Sequence, residues 1–69
     1  MPLVRTESGC KVGWHFYDNE EEAIEASNGA REMAMRMLGQ GYDFGWQLPG
    51  DIKRETDKDG NDVWVVTMP

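Results

Sequence analysis

The sequence predicts an α+β fold: an antiparallel sheet in the order ββαββ, with one helix packed across one face. Three observations predict it. Cys10 to Tyr17 alternates in polarity with a period of two, as a half-buried strand does. Residues 20–38 place apolar and small side chains at spacings of three and four, the period of a helix with one buried stripe. Lys58-Asp59-Gly60 divides a last pair of short alternating stretches, as a hairpin turn does.

In the first strand pair, Cys10, Val12, Trp14 and Phe16 fall on one face, and Lys11, Gly13, His15 and Tyr17 on the other. Pro2 to Thr6 is expected as a short strand before it. Glu7-Ser8-Gly9 is then a three-residue loop with Gly9 left-handed, which pairs Val4 with Val12. Cys10 reads as a small buried hydrophobe on the apolar face.

Asp18 or Asn19 can cap the helix that follows, and the carboxylates of Glu20, Glu21 and Glu22 suit its positive end. The helix is expected to run to about Leu38 and stop at Gly39 or Gly41. Its buried stripe reads Ala23, Ala26, Ser27, Ala30, Met33, Ala34, Met37 and Leu38. The connection from Gly41 to Gly50 is rich in Gly and aromatics, and Tyr42, Phe44 and Trp46 are expected to fold back onto the core.

For the second hairpin a three-residue loop with Gly60 left-handed pairs Thr56 with Asp62, Arg54 with Trp64 and Ile52 with Val66. That register gathers Ile52, Trp64, Val66 and Met68 on one face; a two-residue Asp59-Gly60 turn would split them. The core expectation is Trp14, Phe16, Trp64 and Val66 against Ala26, Ala30, Met33 and Met37. One helix cannot cover both faces of a sheet. Val63, Val65, Tyr17 and His15 are assigned to the far side, with Met35 and Ile24 off the main helix stripe.

The 69 residues give room for a single domain, 1–69. A net charge of −6 argues against direct nucleic-acid binding through phosphates and against a polybasic membrane patch. It suits a basic protein partner. One cysteine excludes an internal disulfide, and no apolar run approaches the roughly 18 residues of a membrane span. Met1 to Ser8 lacks the apolar stretch of a signal peptide, so the cytoplasm is the expected location.

Motifs for chemistry are scarce. Asp57-Lys58-Asp59-Gly60-Asn61-Asp62 resembles a calcium loop only at its start: the glycine stands at position four rather than six, and position twelve is Met68. His15 is the only histidine, and Cys10 has the opposite parity on its strand, so no Cys–His pair or metal set forms. No catalytic residue, cofactor or metal is assigned, and the chain reads as a binding protein rather than an enzyme. The candidate interface is Val63, Val65, Tyr17 and Met35, facing a protein partner or a second copy in a homodimer. A second reading takes Glu21, Glu22, Glu25 and Glu32 as an acidic face that mimics nucleic acid toward a basic protein.

The runs Gly13-Trp14-His15-Phe16-Tyr17, Gly41-Tyr42-Asp43-Phe44-Gly45 and Trp64-Val65-Val66-Thr67-Met68-Pro69 resemble those of small accessory proteins encoded by bacteriophages of actinobacteria. The resemblance implies an accessory or early-gene product that acts on a host factor, or a minor structural protein. It transfers no functional residue.

Overall fold

The computed structural model describes residues 3–45 and 47–69. The expectations for Pro2 as the start of a strand and for Trp46 against the core lie outside the described residues. The elements are β1 (Leu3–Ser8), β2 (Gly13–Tyr17), α1 (Glu20–Gly39), β3 (Ile52–Thr56) and β4 (Asp62–Met68). All four strands pair antiparallel in one sheet of order β1-β2-β4-β3, and α1 packs across it, giving the α+β fold.

The second hairpin forms in the expected register, with Thr56 opposite Asp62, Arg54 opposite Trp64 and Ile52 opposite Val66. Gly60 is left-handed at φ 84. The Asp57 carboxylate accepts the backbone N–H groups of Asp59 and Asn61, each at 2.9 Å. The carboxylate that opens the calcium-like run is therefore spent on its own turn.

The first hairpin differs. Ser8 pairs with Gly13 and Arg5 with Phe16, so the loop is Gly9 to Val12 and Val4 does not meet Val12. The strand starts at Gly13, not Cys10. Gly9 is not left-handed. It is small for another reason: a Cβ there would lie 2.8 Å from the Trp14 indole. Cys10 is exposed at the loop, correcting its assignment to the core. Val12 is buried from within that loop, against Ala34 and Phe44.

Helix α1 starts and stops by the expected chemistry. Asn19 is extended, and its side-chain oxygen accepts the Glu22 N–H at 3.3 Å. At the other end Tyr42 N–H bonds Met37 O and Gly41 N–H bonds Leu38 O, with Gly41 at φ 94. That is the six-to-one and five-to-two pair of a Schellman cap.

The buried stripe of α1 is narrower than expected. Ala23, Ser27, Ala30 and Ala34 are buried, whereas Met33 and Leu38 are 52% and 47% exposed. Small residues bring the helix axis close to the sheet, and a close helix covers little on either side of its contact line. Ser27 seals the contact by donating to Gly50 O at 2.6 Å. Gly50 and Asp51 together face Thr67, with Gly50 N–H on Thr67 O and Thr67 N–H on Asp51 O, a bulge that bends the chain into β3. Gly50 is left-handed at φ 100, and a Cβ there would run into the Arg31 side chain.

Strand β2 presents the opposite face to the one expected. Its register on β4 sets His15 opposite Val66, Phe16 opposite Val65 and Tyr17 opposite Trp64. Val66, fully buried, lies under α1. Trp64, Val66 and Ile52 therefore share the helix side with His15 and Tyr17, while Phe16 points away from the helix with Val63 and Val65. Trp14 packs both on that far cluster and on the cluster of Val12, Ala34 and Phe44 at the end of the sheet. The second hairpin's own register is not at fault. The difference lies in the pairing of β2 with β4, which sets Phe16 beside Val65 and leaves His15 and Tyr17 half-buried on the helix side.

Candidate functional site

The face away from α1 is built from alternate residues of four strands. Its centre is Phe16, Val63 and Val65, which form one buried cluster with the half-buried Trp14 packed on it. Among the described residues no helix packs on this cluster; long side chains of the edge strands flank it, and Gln47 lies at its margin. Arg5 pairs with Phe16 across β1 and β2, and its guanidinium lies 4.0 Å from the centre of the Phe16 ring. Glu7 holds that guanidinium from one side at 3.1 Å. On the other edge Lys53 pairs with Val65 and Glu55 with Val63.

Two grooves cut this face. One, of about 590 Å³, runs between Arg5 and the Thr56–Asp59 segment over Phe16 and Val63. The other, of about 440 Å³, lies over Trp14, Phe16 and Val65 between Glu7 and Lys53. Phe16 and Glu55 line both, so the two meet at the centre of the face. The face thus has a nearly buried apolar floor between walls bearing charges of both signs.

The four residues proposed from sequence as an interface are not brought together. Val63 and Val65 sit at the groove floor, 9% and 8% exposed. Tyr17 lies on the helix side, and Met35 on the outer surface of α1 at 74% exposure. The groove walls, Arg5, Glu7, Lys53 and Glu55, are absent from that set. Edge-strand charges read as solvated in a sequence. Their parity with Phe16 and Val65 becomes visible only once the strand order is known.

On the helix side His15 Nδ1 lies 3.4 Å from the Tyr17 hydroxyl. Burial, and then the nearby Glu22 carboxylate, hold the Tyr17 hydroxyl above its ordinary value of 10.0. Such a phenol is a poorer proton donor than a free tyrosine. Among the described residues no group of three or more His, Cys, Asp or Glu side chains is placed to hold a metal ion. Glu21, Glu22, Glu25 and Glu32 are all exposed, and no ion pair among the described residues includes them. Glu21 and Glu25 follow one line of the helix at i, i+4, with Glu32 seven residues further on.

At the loop beyond α1, Asp43 accepts the Gly45 N–H at 2.8 Å and the Lys11 ammonium at 3.3 Å. The backbone bond first, and Lys11 second, hold its carboxyl below its ordinary value. This clamp ties the aromatic connection to the first hairpin, beside Val12 and Phe44. No helix among the described residues is long and apolar enough to cross a membrane. No protein-family model matches the chain, and neither a curated protein nor a solved structure does.

Proposed function

We propose that the chain is a small protein-binding module that takes a segment of a partner protein into the groove on the helix-free face of its sheet. The observation that carries this reading is the apolar floor of Phe16, Val63 and Val65, flanked among the described residues by side chains that can swing aside. Arg5 is the key lid: its side chain is 60% exposed, so little beyond the Phe16 ring and Glu7 restrains it. A partner's apolar side chain would displace it from Phe16 and leave Arg5 and Lys53 free to meet carboxylates or carbonyls at the rim. The reading assigns the chain no catalytic step and no cofactor. The likeness to small phage proteins would place that partner among host proteins in the cytoplasm of an infected cell.

Affinity capture from a host lysate, compared between variants, tests the proposal. Val65→Thr keeps the shape of the floor and adds a hydroxyl to it; Met35→Glu alters only the outer helix. The expected result is a specific host protein retained by the wild type and by Met35→Glu and lost with Val65→Thr, with both variants folded. Loss with Met35→Glu and retention with Val65→Thr would move the binding surface to the helix.

A second reading has one observation in its favour. The carboxylates of Glu21, Glu25 and Glu32 are exposed and unpaired among the described residues, as in a decoy for a nucleic-acid-binding protein. Such binding would weaken steeply between low and high salt, whereas binding in the apolar groove would weaken less, because only its rim contacts are ionic.

A further inference from the structure

We propose that β3 is the contact through which two copies of the chain associate, edge to edge and antiparallel about Arg54, so that the two sheets run on as one. This surface is distinct from the groove floor, and the inference stands without it.

The first support is the asymmetry of the two sheet edges. β1 and β3 are both terminal strands. The pairing of β1 is interrupted by a register shift between Leu3 and Arg5, and an irregular edge is a poor template for another strand. β3 keeps an unbroken register with β4 from Ile52 to Thr56, and all five of its residues are exposed.

The second support is where the free hydrogen-bonding groups point. Thr67 N–H bonds Asp51 O at one end of the β3–β4 ladder, and Asp57 N–H bonds Asn61 O at the other. Hydrogen-bonded pairs alternate along an antiparallel ladder, so Lys53 and Glu55 also turn their backbone groups toward β4. Ile52, Arg54 and Thr56 therefore turn theirs outward. A two-fold axis at Arg54 pairs these three with Thr56, Arg54 and Ile52 of the second copy, which makes about six new backbone bonds.

The third support is charge. That axis sets Lys53 opposite Glu55 of the second copy, twice by symmetry. An axis at Lys53 would oppose it to itself and bring Asp51 against Glu55; an axis at Glu55 would oppose two glutamates. The cost of the chosen register is one Arg54–Arg54 contact on the helix side. Apolar surface lies alongside. Ile24 and Arg31 are seven residues apart on one flank of α1, and Arg31 packs beside Gly50 at the entry to β3. Ile24 and Ile52 on that side are 45% and 36% exposed, and association would cover them. The contact is smaller than the roughly 1,600 Å² of a standard interface, so a weak dimer is expected.

Sedimentation equilibrium from micromolar to millimolar concentration tests this, with far-UV circular dichroism to check folding. The wild type is expected to approach twice the mass of one chain as concentration rises. Two substitutions at one position should have opposite effects. Arg54→Pro removes the outward N–H together with the guanidinium, a change that an edge strand tolerates, and should leave a folded monomer even though the like-charge contact is gone as well. Arg54→Thr removes the like-charge contact and should tighten the dimer by about two- to fivefold. Lys53→Glu and Glu55→Lys should each weaken it, and the two together should restore it. A wild type that stays monomeric throughout overturns the proposal, as does a dimer unaffected by a folded Arg54→Pro. If Arg54→Pro does not fold, a dimer indifferent to Lys53→Glu overturns it equally.

Discussion

The two faces of the sheet use the same four strands and are closed by opposite means. On one side, alanines and a serine bring α1 close enough for Ser27 to bond the backbone at Gly50, and Val66 is completely buried. On the other, Phe16, Val63 and Val65 are nearly as well hidden, and among the described residues Arg5 overlies Phe16 while Lys53 and Glu55 pair beside the valines on the edge strand. Burial by backbone proximity is rigid, because nothing there can move without separating two elements. Burial under long charged side chains is reversible, because those stems cover apolar surface while their heads stay in water. The proposed binding surface can therefore coexist with a core in a chain of this size without leaving a large apolar patch open.

This contrast can be broken most forcefully at the floor of the open face. Phe16→Ala is expected to destabilise the chain by about 3–5 kcal/mol, as for a core phenylalanine, although among the described residues no helix packs on it. Chemical denaturation measures it, and a cost well under 1 kcal/mol would mean that the open face is not a core. Next comes Ala30→Trp on the rigid side. The indole cannot enter a contact that close, so a loss of about 1–3 kcal/mol is expected by the same measurement. A neutral result would show that α1 can lift off the sheet.

Which residues form each face was only partly legible in the sequence. Period-two alternation separated Trp14 and Phe16 from His15 and Tyr17, and Val63 and Val65 from Trp64 and Val66, and the structure keeps both partitions. It could not say which half of β2 joins which half of β4. That depends on the pairing of strands some fifty residues apart, where a slip of one residue exchanges the faces. The second hairpin was legible because its register is local, set by Gly60 and a three-residue loop. Of the candidate site, alternation placed Val63 and Val65 on the far face. Arg5 and Lys53 were not legible, because their roles come from neighbours across the sheet.

Smaller effects sharpen the comparison. Arg5→Ala should cost only about 0.5–1 kcal/mol, since a cation over an aromatic ring at an exposed site contributes no more. It should also enhance fluorescence of an apolar dye by uncovering Phe16; unchanged dye binding would mean that Arg5 is not a lid. The smallest effect concerns pH. The folded state holds the Tyr17 hydroxyl above 10.0, so its stabilising contribution is complete below that pH and is lost as pH rises through the raised value. Tyr17→Phe should remove that part of the alkaline decline in the unfolding midpoint. Identical pH profiles for variant and wild type would argue that Tyr17 is not under the helix.

The most direct test is the set of nuclear Overhauser contacts made by the Phe16 ring and the Val66 methyls. The account predicts cross-peaks from Phe16 to the methyls of Val63 and Val65, and from Val66 to the alanine methyls of α1. Cross-peaks from Phe16 to Ala30 or Ala34 would contradict it, because they would place Phe16 under the helix and remove the floor of the proposed binding groove.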